Sequence, residues 1–139
     1  MPDRYLIDKS ALARWTKPGV RDVLKPLHER YLLAVCRPTE YEMIHSARDG
    51  AEATRISTWL RAFDYLVTGD DAFGHALEIQ RHAVNAGFHR ALSLPDLLIA
   101  ATADVHRRTI LHYDGDFDMI ASITGQPTEW VVPPGTADA

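Results

Sequence analysis

Short apolar runs alternate along this chain with longer amphipathic stretches. Tyr5–Ile7 and the YLLAVC run at Tyr31–Cys36 are almost wholly apolar, as strands buried on both faces are. Shorter runs at Tyr65–Val67 and Thr109–Tyr113 predict two further strands, and Thr128–Val132 a last one at an edge. Between them the apolar residues recur at helical spacing. Lys9–Thr16 predicts a helix stopped by Pro18 and Gly19, and Val20–Arg30 a second, with Val23, Leu24 and Leu27 on one face and Pro26 as a kink. A third opens at Pro38 or Thr39 and runs through Glu42 to Ser46. After the break at Asp49-Gly50, Ala51–Phe63 carries Ile56, Leu60 and Phe63 on one face. Asp70–Gly87, the stretch from Ser93 through DLLIAATADVHRR, and Phe117–Ile123 complete the helices.

Strands that alternate with helices imply a parallel sheet covered on both faces. The expected fold is α/β: a three-layer α/β/α sandwich around a mostly parallel sheet of four to five strands. The 139 residues suit one domain, expected over residues 1–132, with residues 133–139 (PPGTADA) as a flexible polar tail. No apolar run approaches the ~18 residues of a membrane span, and MPDRYLID lacks the apolar centre of a signal peptide. The single cysteine, Cys36, cannot form an internal disulfide. Together these features lead us to expect a cytoplasmic location and no membrane contact.

A net charge of −4 argues against broad coating of nucleic acid. It takes on another meaning once the acids are located. Asp8 follows the first strand, and Asp114 and Asp116 follow the fourth. Glu42 and Asp96 are expected in the first turns of the helices that carry them. In a parallel sheet, sites form beyond the carboxyl ends of the strands, so these five distant acids can converge. Each has an ordinary reading as well. Asp8 and Asp114 can cap the helices they precede, Glu42 can face solvent, and Asp96 stands three residues after Ser93 at capping-box spacing. Asp118 reads as a solvated first-turn acid. Four caps, however, do not require an acid at the same sheet edge each time, whereas a divalent-cation site does. Hard cations such as Mg2+ and Mn2+ take oxygen ligands, polarise a phosphodiester and activate water. Ser10, two residues after Asp8, is a supporting candidate that can orient its carboxylate or a water.

Other chemistries lack their patterns. The stretch from Asp114 alternates acids like a calcium loop, but Met119 and Gly125 stand where the loop needs Gly and Glu. The chain has no CxxC pair, HExxH, GxSxG, Walker A loop or GxGxxG. His75, His82 and His89 are seven apart and read best as surface histidines. A phosphorylated receiver needs an Asp ending the middle strand and a late Lys. The strand taken as the middle one runs out in Val67-Thr68-Gly69, and no Lys follows Lys25.

The succession DKSAL, EMIHSAR, LPDLLIAATA and LHYDGDFDMIA closely resembles the PIN-domain family, and in particular its VapC-type toxins. The resemblance runs over nearly the whole chain, including the closing EWVVPPGTA. It implies a metal-dependent endoribonuclease, the toxin of a type II toxin–antitoxin pair. Mg2+ is then the cofactor, with Mn2+ able to substitute. Asp8, Glu42, Asp96 and Asp114 become the catalytic acids, and Asp8, Asp96, Asp114 and Asp116 the metal set. Glu40 is a neighbouring acid in the second row. The partners implied are a VapB-like antitoxin, an RNA substrate and a second copy in a homodimer. The alternative is a PIN-like module that binds RNA or antitoxin with little catalysis. Arg48, Arg81, Arg90 and Arg107 are candidate phosphate contacts on the rim. Trp15, Trp59, Phe63 and Tyr65 can line an antitoxin groove or dimer seam, although Trp59 and Phe63 at helical spacing read better as core.

Overall fold

The computed structural model describes residues 3–138. Its sheet holds five strands: β1 (Tyr5–Ile7), β2 (Leu33–Val35), β3 (Asp64–Tyr65), β4 (Thr109–His112) and β5 (Thr128–Trp130). Their spatial order is β3-β2-β1-β4-β5, and every pairing is parallel. Register is set by the central strand, where Tyr5 stands opposite both Leu33 and Thr109, and Leu6 opposite both Ala34 and Ile110. The helices are α1 (Lys9–Leu12), α2 (Pro18–Glu29), α3 (Arg37–His45), α4 (Gly50–Leu60), α5 (Asp70–Ala86), α6 (Leu94–Val105) and α7 (Asp116–Thr124).

Strand alternation divides the core in two. Leu6, Ala34 and Ile110 face one layer with Ile79, Ile99, Phe117 and Ile120 from α5, α6 and α7. Tyr5, Ile7, Leu33, Val35 and Leu111 face the other with Leu12, Val20, Leu24 and Leu60 from α1, α2 and α4. This is the expected three-layer sandwich. No helix among the described residues is long and apolar enough to cross a membrane.

Local chemistry fixes the element ends. Asp8 caps α1 by accepting the Ser10 N–H, Asp49 caps α4 through Glu52, and Ser93 caps α6 through Asp96. Gly87 ends α5 with φ of 86°, the left-handed conformation glycine adopts without penalty.

The differences from expectation are also local. The first helix closes after a single turn, and the chain goes on to Lys17 through i→i−3 hydrogen bonds. Tyr31, expected to open the second strand, is a left-handed turn residue with φ of 57° and stays exposed. Because α3 begins at Arg37, Glu42 lies in its second turn, not its first. The strand taken as central, β3, lies at the edge, so its last residues carry no weight against a receiver; the lack of a late Lys still does. A short 3-10 turn at His89–Ala91 links α5 to α6 and was not expected. Finally, residues 133–138, expected to be a flexible tail, fold back onto the domain, and Ala137 is only 6% exposed.

Candidate active site

The order in which strands are added to the sheet switches sides at β1. Connections from β1 lead one way to β2 and β3, while β4 and β5 lie on its other side. A crevice therefore opens between the carboxyl ends of β1 and β4, the usual ligand position in such sheets. Asp8 lies at the end of β1, and Asp114 two residues beyond β4. Asp96 comes from the first turn of α6 and Asp116 from the start of α7. Glu42 enters from the second turn of α3.

The five acids form two overlapping triads. Asp8, Glu42 and Asp96 each offer a carboxylate oxygen within 4.8 Å of the others, and so do Asp96, Asp114 and Asp116. Asp96 belongs to both. Among the described residues these are the only groupings of potential metal-ligating side chains, and neither contains a histidine. Asp8 is held firmly. Its Oδ2 accepts the Ser10 N–H at 3.0 Å and the Ser10 hydroxyl at 2.7 Å. Its Oδ1 is buried with no hydrogen-bond partner, and so is Oε1 of Glu42. Buried polar atoms are rarely left unpaired, so these two carboxylate oxygens call for a partner, and a cation is one that would fit them.

Proton affinities follow the same logic. Burial, then the charges of Asp8 and Asp114, push Glu42 up to about 7, with Lys9 acting against them. Burial, then Asp8, Asp114 and Glu42, push Asp96 up to about 7. Burial raises Asp8 against the pull of the Ser10 hydrogen bonds, and burial with the charge of Asp114 raises Asp116. Crowded like charges resist simultaneous ionisation; a divalent cation would relieve all of them together. The donor set is oxygen only, which suits Mg2+ or Mn2+.

Supporting contacts give several residues roles that the sequence did not reveal. The Asp116 N–H donates to Oδ1 of Asp114 at 2.9 Å, which fixes that carboxylate. The Asp114 N–H donates to Nδ1 of His112 at 3.1 Å. His112 is fully buried between Phe117 and Trp130, and burial pushes it down to about 4, so the ring is neutral and carries its proton on Nε2. Its only sequence signal was its place at the end of an apolar strand, two residues before an acid. Ser10, which could have oriented a water or Asp8, is bonded to Asp8.

Other candidates lie elsewhere. Glu40 pairs with Arg37 at 2.7 Å and belongs to neither triad. Asp118, expected to be solvated, accepts the Trp130 indole N–H at 3.0 Å and ties α7 to β5. Arg48 is exposed and bonded to Glu52, while Arg81 and Arg90 are exposed on α5 and the turn that follows it. Arg107 is not on the rim: it sits between the end of α6 and the start of β4, at the opposite edge of the sheet from the acids. Trp15, Trp59 and Phe63 pack edge to face against one another within 5.3–6.1 Å and against the α2 side of the core, as the core reading requires. Tyr65 instead stands at the sheet edge beneath the Arg37 guanidinium. His75 bonds to Asp104 at 2.6 Å.

Comparison with known proteins bears on the family and the fold. The family model described as PIN domain matches residues 5–123. The chain is 49% identical to "Ribonuclease VapC21" of Mycobacterium tuberculosis over 138 residues, which covers 99% of this chain and 100% of that protein. It is 42% identical to "Ribonuclease VapC51" of the same organism, covering 97% and 98%. In fold it is similar to a chain of the DNA-bound VapBC structure from Salmonella typhimurium, with TM-score 0.75 at 16% identity, covering 94% of this chain and 100% of that one. A chain of the DNA-bound VapBC2 structure from Rickettsia felis gives TM-score 0.72 at 14% identity over 91% and 97%.

Proposed function

The chain belongs to the PIN-domain family, and on that premise we propose that it is the toxin of a type II toxin–antitoxin pair, an endoribonuclease that hydrolyses RNA phosphodiester bonds. One observation carries the reading: two carboxylate triads meet at Asp96, and in the first of them Asp8 Oδ1 and Glu42 Oε1 are buried and bare. The full-length ribonuclease relatives support the substrate class.

Asp8, Asp96, Asp114 and Asp116 would hold Mg2+, or Mn2+ in its place, and Glu42 would complete the first triad. A bound ion of this kind supplies charge for the phosphate oxygens and lowers the pKa of a coordinated water. The chain's own residues do the rest. Ser10 and the Asp116 N–H hold Asp8 and Asp114 in fixed orientations. Glu42, which enters the first triad from α3, would face the bound ion beside Asp8 and Asp96. Exposed Arg48, Arg81 and Arg90 are the candidates for drawing the RNA backbone toward an otherwise negative cleft.

A VapB-like antitoxin is the partner this reading requires, and the cytoplasm its place of action. A homodimer seam is suggested by the exposed apolar side chains Phe73, Leu77 and Leu94, which lie together where α5 meets α6.

The test is cleavage of a mixed RNA pool by the purified chain with Mg2+ or Mn2+, beside Asp8→Asn. We expect cutting by the wild type alone, lost with EDTA, and growth arrest on induction that Asp8→Asn and Asp96→Asn relieve. RNA binding with no metal-dependent cutting would replace the nuclease with a binding module.

A further inference from the structure

The last residues of the chain complete a line of hydrogen bonds that ends on Asp8. Pro133-Pro134-Gly135-Thr136 forms a turn in which the Thr136 N–H donates to Pro133 O at 3.2 Å and Gly135 has φ of 84°. Pro followed by a left-handed Gly is the pattern of a type II turn. It sends the chain back toward β4. There the Ala137 N–H donates to the Tyr113 hydroxyl at 2.9 Å, and that hydroxyl donates to Oδ1 of Asp138 at 2.6 Å. The Ala137 carbonyl accepts from Nε of Arg14 at 3.0 Å.

Two branches run on from there to the same residue. Through Nη1, Arg14 donates to the Ser10 carbonyl at 2.7 Å, and its guanidinium lies 4.5 Å from the centre of the Tyr113 ring. The Tyr113 N–H donates to the Ser10 hydroxyl at 2.8 Å, which commits the hydroxyl proton to Oδ2 of Asp8 at 2.7 Å. Helix α1 needs such help. It is four residues long, and one isolated helical turn has no cooperative stability of its own. Its terminal carbonyls need outside partners; Arg14 provides one to Ser10, and the returning tail bonds the same guanidinium through Ala137. Asp8 is thus held through Oδ2, while its Oδ1 stays buried with no hydrogen-bond partner.

We propose that residues 136–138, Arg14 and Tyr113 form a clamp that positions Asp8 for the divalent cation, so that the C-terminal segment belongs to the metal-binding apparatus. None of them touches the ion; they are positioning residues. This rests on the metal-nuclease reading above.

The experiment measures Mn2+ affinity of the full-length chain by calorimetry, with hydrogen exchange of the tail amides and thermal stability in EDTA recorded alongside. Tyr113→Phe removes both hydroxyl bonds and keeps the ring under Arg14. The expected result is faster exchange at residues 136–138 and a Mn2+ dissociation constant raised by roughly threefold to tenfold, at or below the effect of removing a direct partner of a metal ligand, because the Tyr113 N–H still bonds Ser10. RNA cleavage should recover at saturating Mn2+ with KM for RNA unchanged. If Tyr113→Phe fails to fold, the exposed Asp138 serves instead: Asp138→Ala weakens Mn2+ binding, and Asp138→Asn, which keeps an accepting oxygen, recovers it. A freed tail with unaltered Mn2+ affinity would overturn the clamp and leave the nuclease standing. A wild type that binds no Mn2+ would overturn both.

Discussion

Removing one charge from the acidic pocket should make the ion-free protein more stable while destroying its activity. Asp96 is the position to change, because it belongs to both triads. Burial and three neighbouring carboxylates raise it from 3.8 to about 7. Taken whole, a difference of that size between folded and unfolded chains is worth about 4 kcal/mol. The pocket is partly open, with Glu42, Asp114 and Asp116 only half-buried, and the carboxylates share one repulsion, so a gain of roughly 1–2 kcal/mol is expected for Asp96→Asn. The α6 cap is the Asp96 backbone N–H on Ser93 Oγ, which Asn keeps, and its side-chain oxygen can still accept from the Ser93 hydroxyl. For a chain of this length the gain corresponds to roughly 3–8 °C in Tm.

The pH dependence has a definite sign. The folded chain keeps a proton on Asp96 that the unfolded chain releases above about pH 4. Wild-type stability is therefore lost as pH rises from there through about 7. His112 works in the opposite sense: lowered from 6.5 to about 4, it costs stability as pH falls through that window. Because His112 is common to both proteins, the difference between them reports Asp96 together with the carboxylates coupled to it. Calorimetric melts in EDTA should show Asp96→Asn well above wild type at pH 8 and the gap closing toward pH 4.5. A gap that is constant, or a variant less stable than wild type at pH 8, would refute the reasoning.

Three further outcomes are expected. Millimolar Mg2+ or Mn2+ should raise the wild-type Tm by mass action, by about 2.7 kcal/mol in stability at a hundredfold excess over Kd, and should raise that of Asp8→Asn far less; an equal shift in both would place the ion elsewhere. Gly135→Ala, which forces a side chain into a left-handed turn with φ of 84°, should cost about 1–2 kcal/mol in urea unfolding. Cys36 is fully buried with its thiol pushed up chiefly by burial, so thiol reagents at pH 8 should label it only at the rate of global unfolding.

Much of this was legible in the sequence because the strands are short and apolar and are followed by acids. Tyr5–Ile7 before Asp8, and Thr109–His112 before Asp114, announce both the sheet and the edge where the acids gather. Glu42 and Asp96 join that cluster as expected, although both sit on helices whose exact phase depends on where they begin. What escaped detection depended on tertiary contacts. Arg107 was misplaced because a helix of twelve residues separates its two ends by about 18 Å, and only the path of the chain says which end faces the acids. The order of strands put β3 at the edge, which no local pattern encodes. The tail was judged by its polarity, yet Pro134-Gly135 carried a turn signature, and what that turn reaches, Tyr113 and Arg14, lies far back in the chain.

The order in which the acids leave the ribosome matters as well. Asp8 emerges early, and Asp114 and Asp116, which share its pocket, are made much later. A nascent polypeptide that has not yet reached them carries Asp8 without the partners that complete the acidic cluster, so the pocket is assembled only after β4 has been made and has paired beside β1.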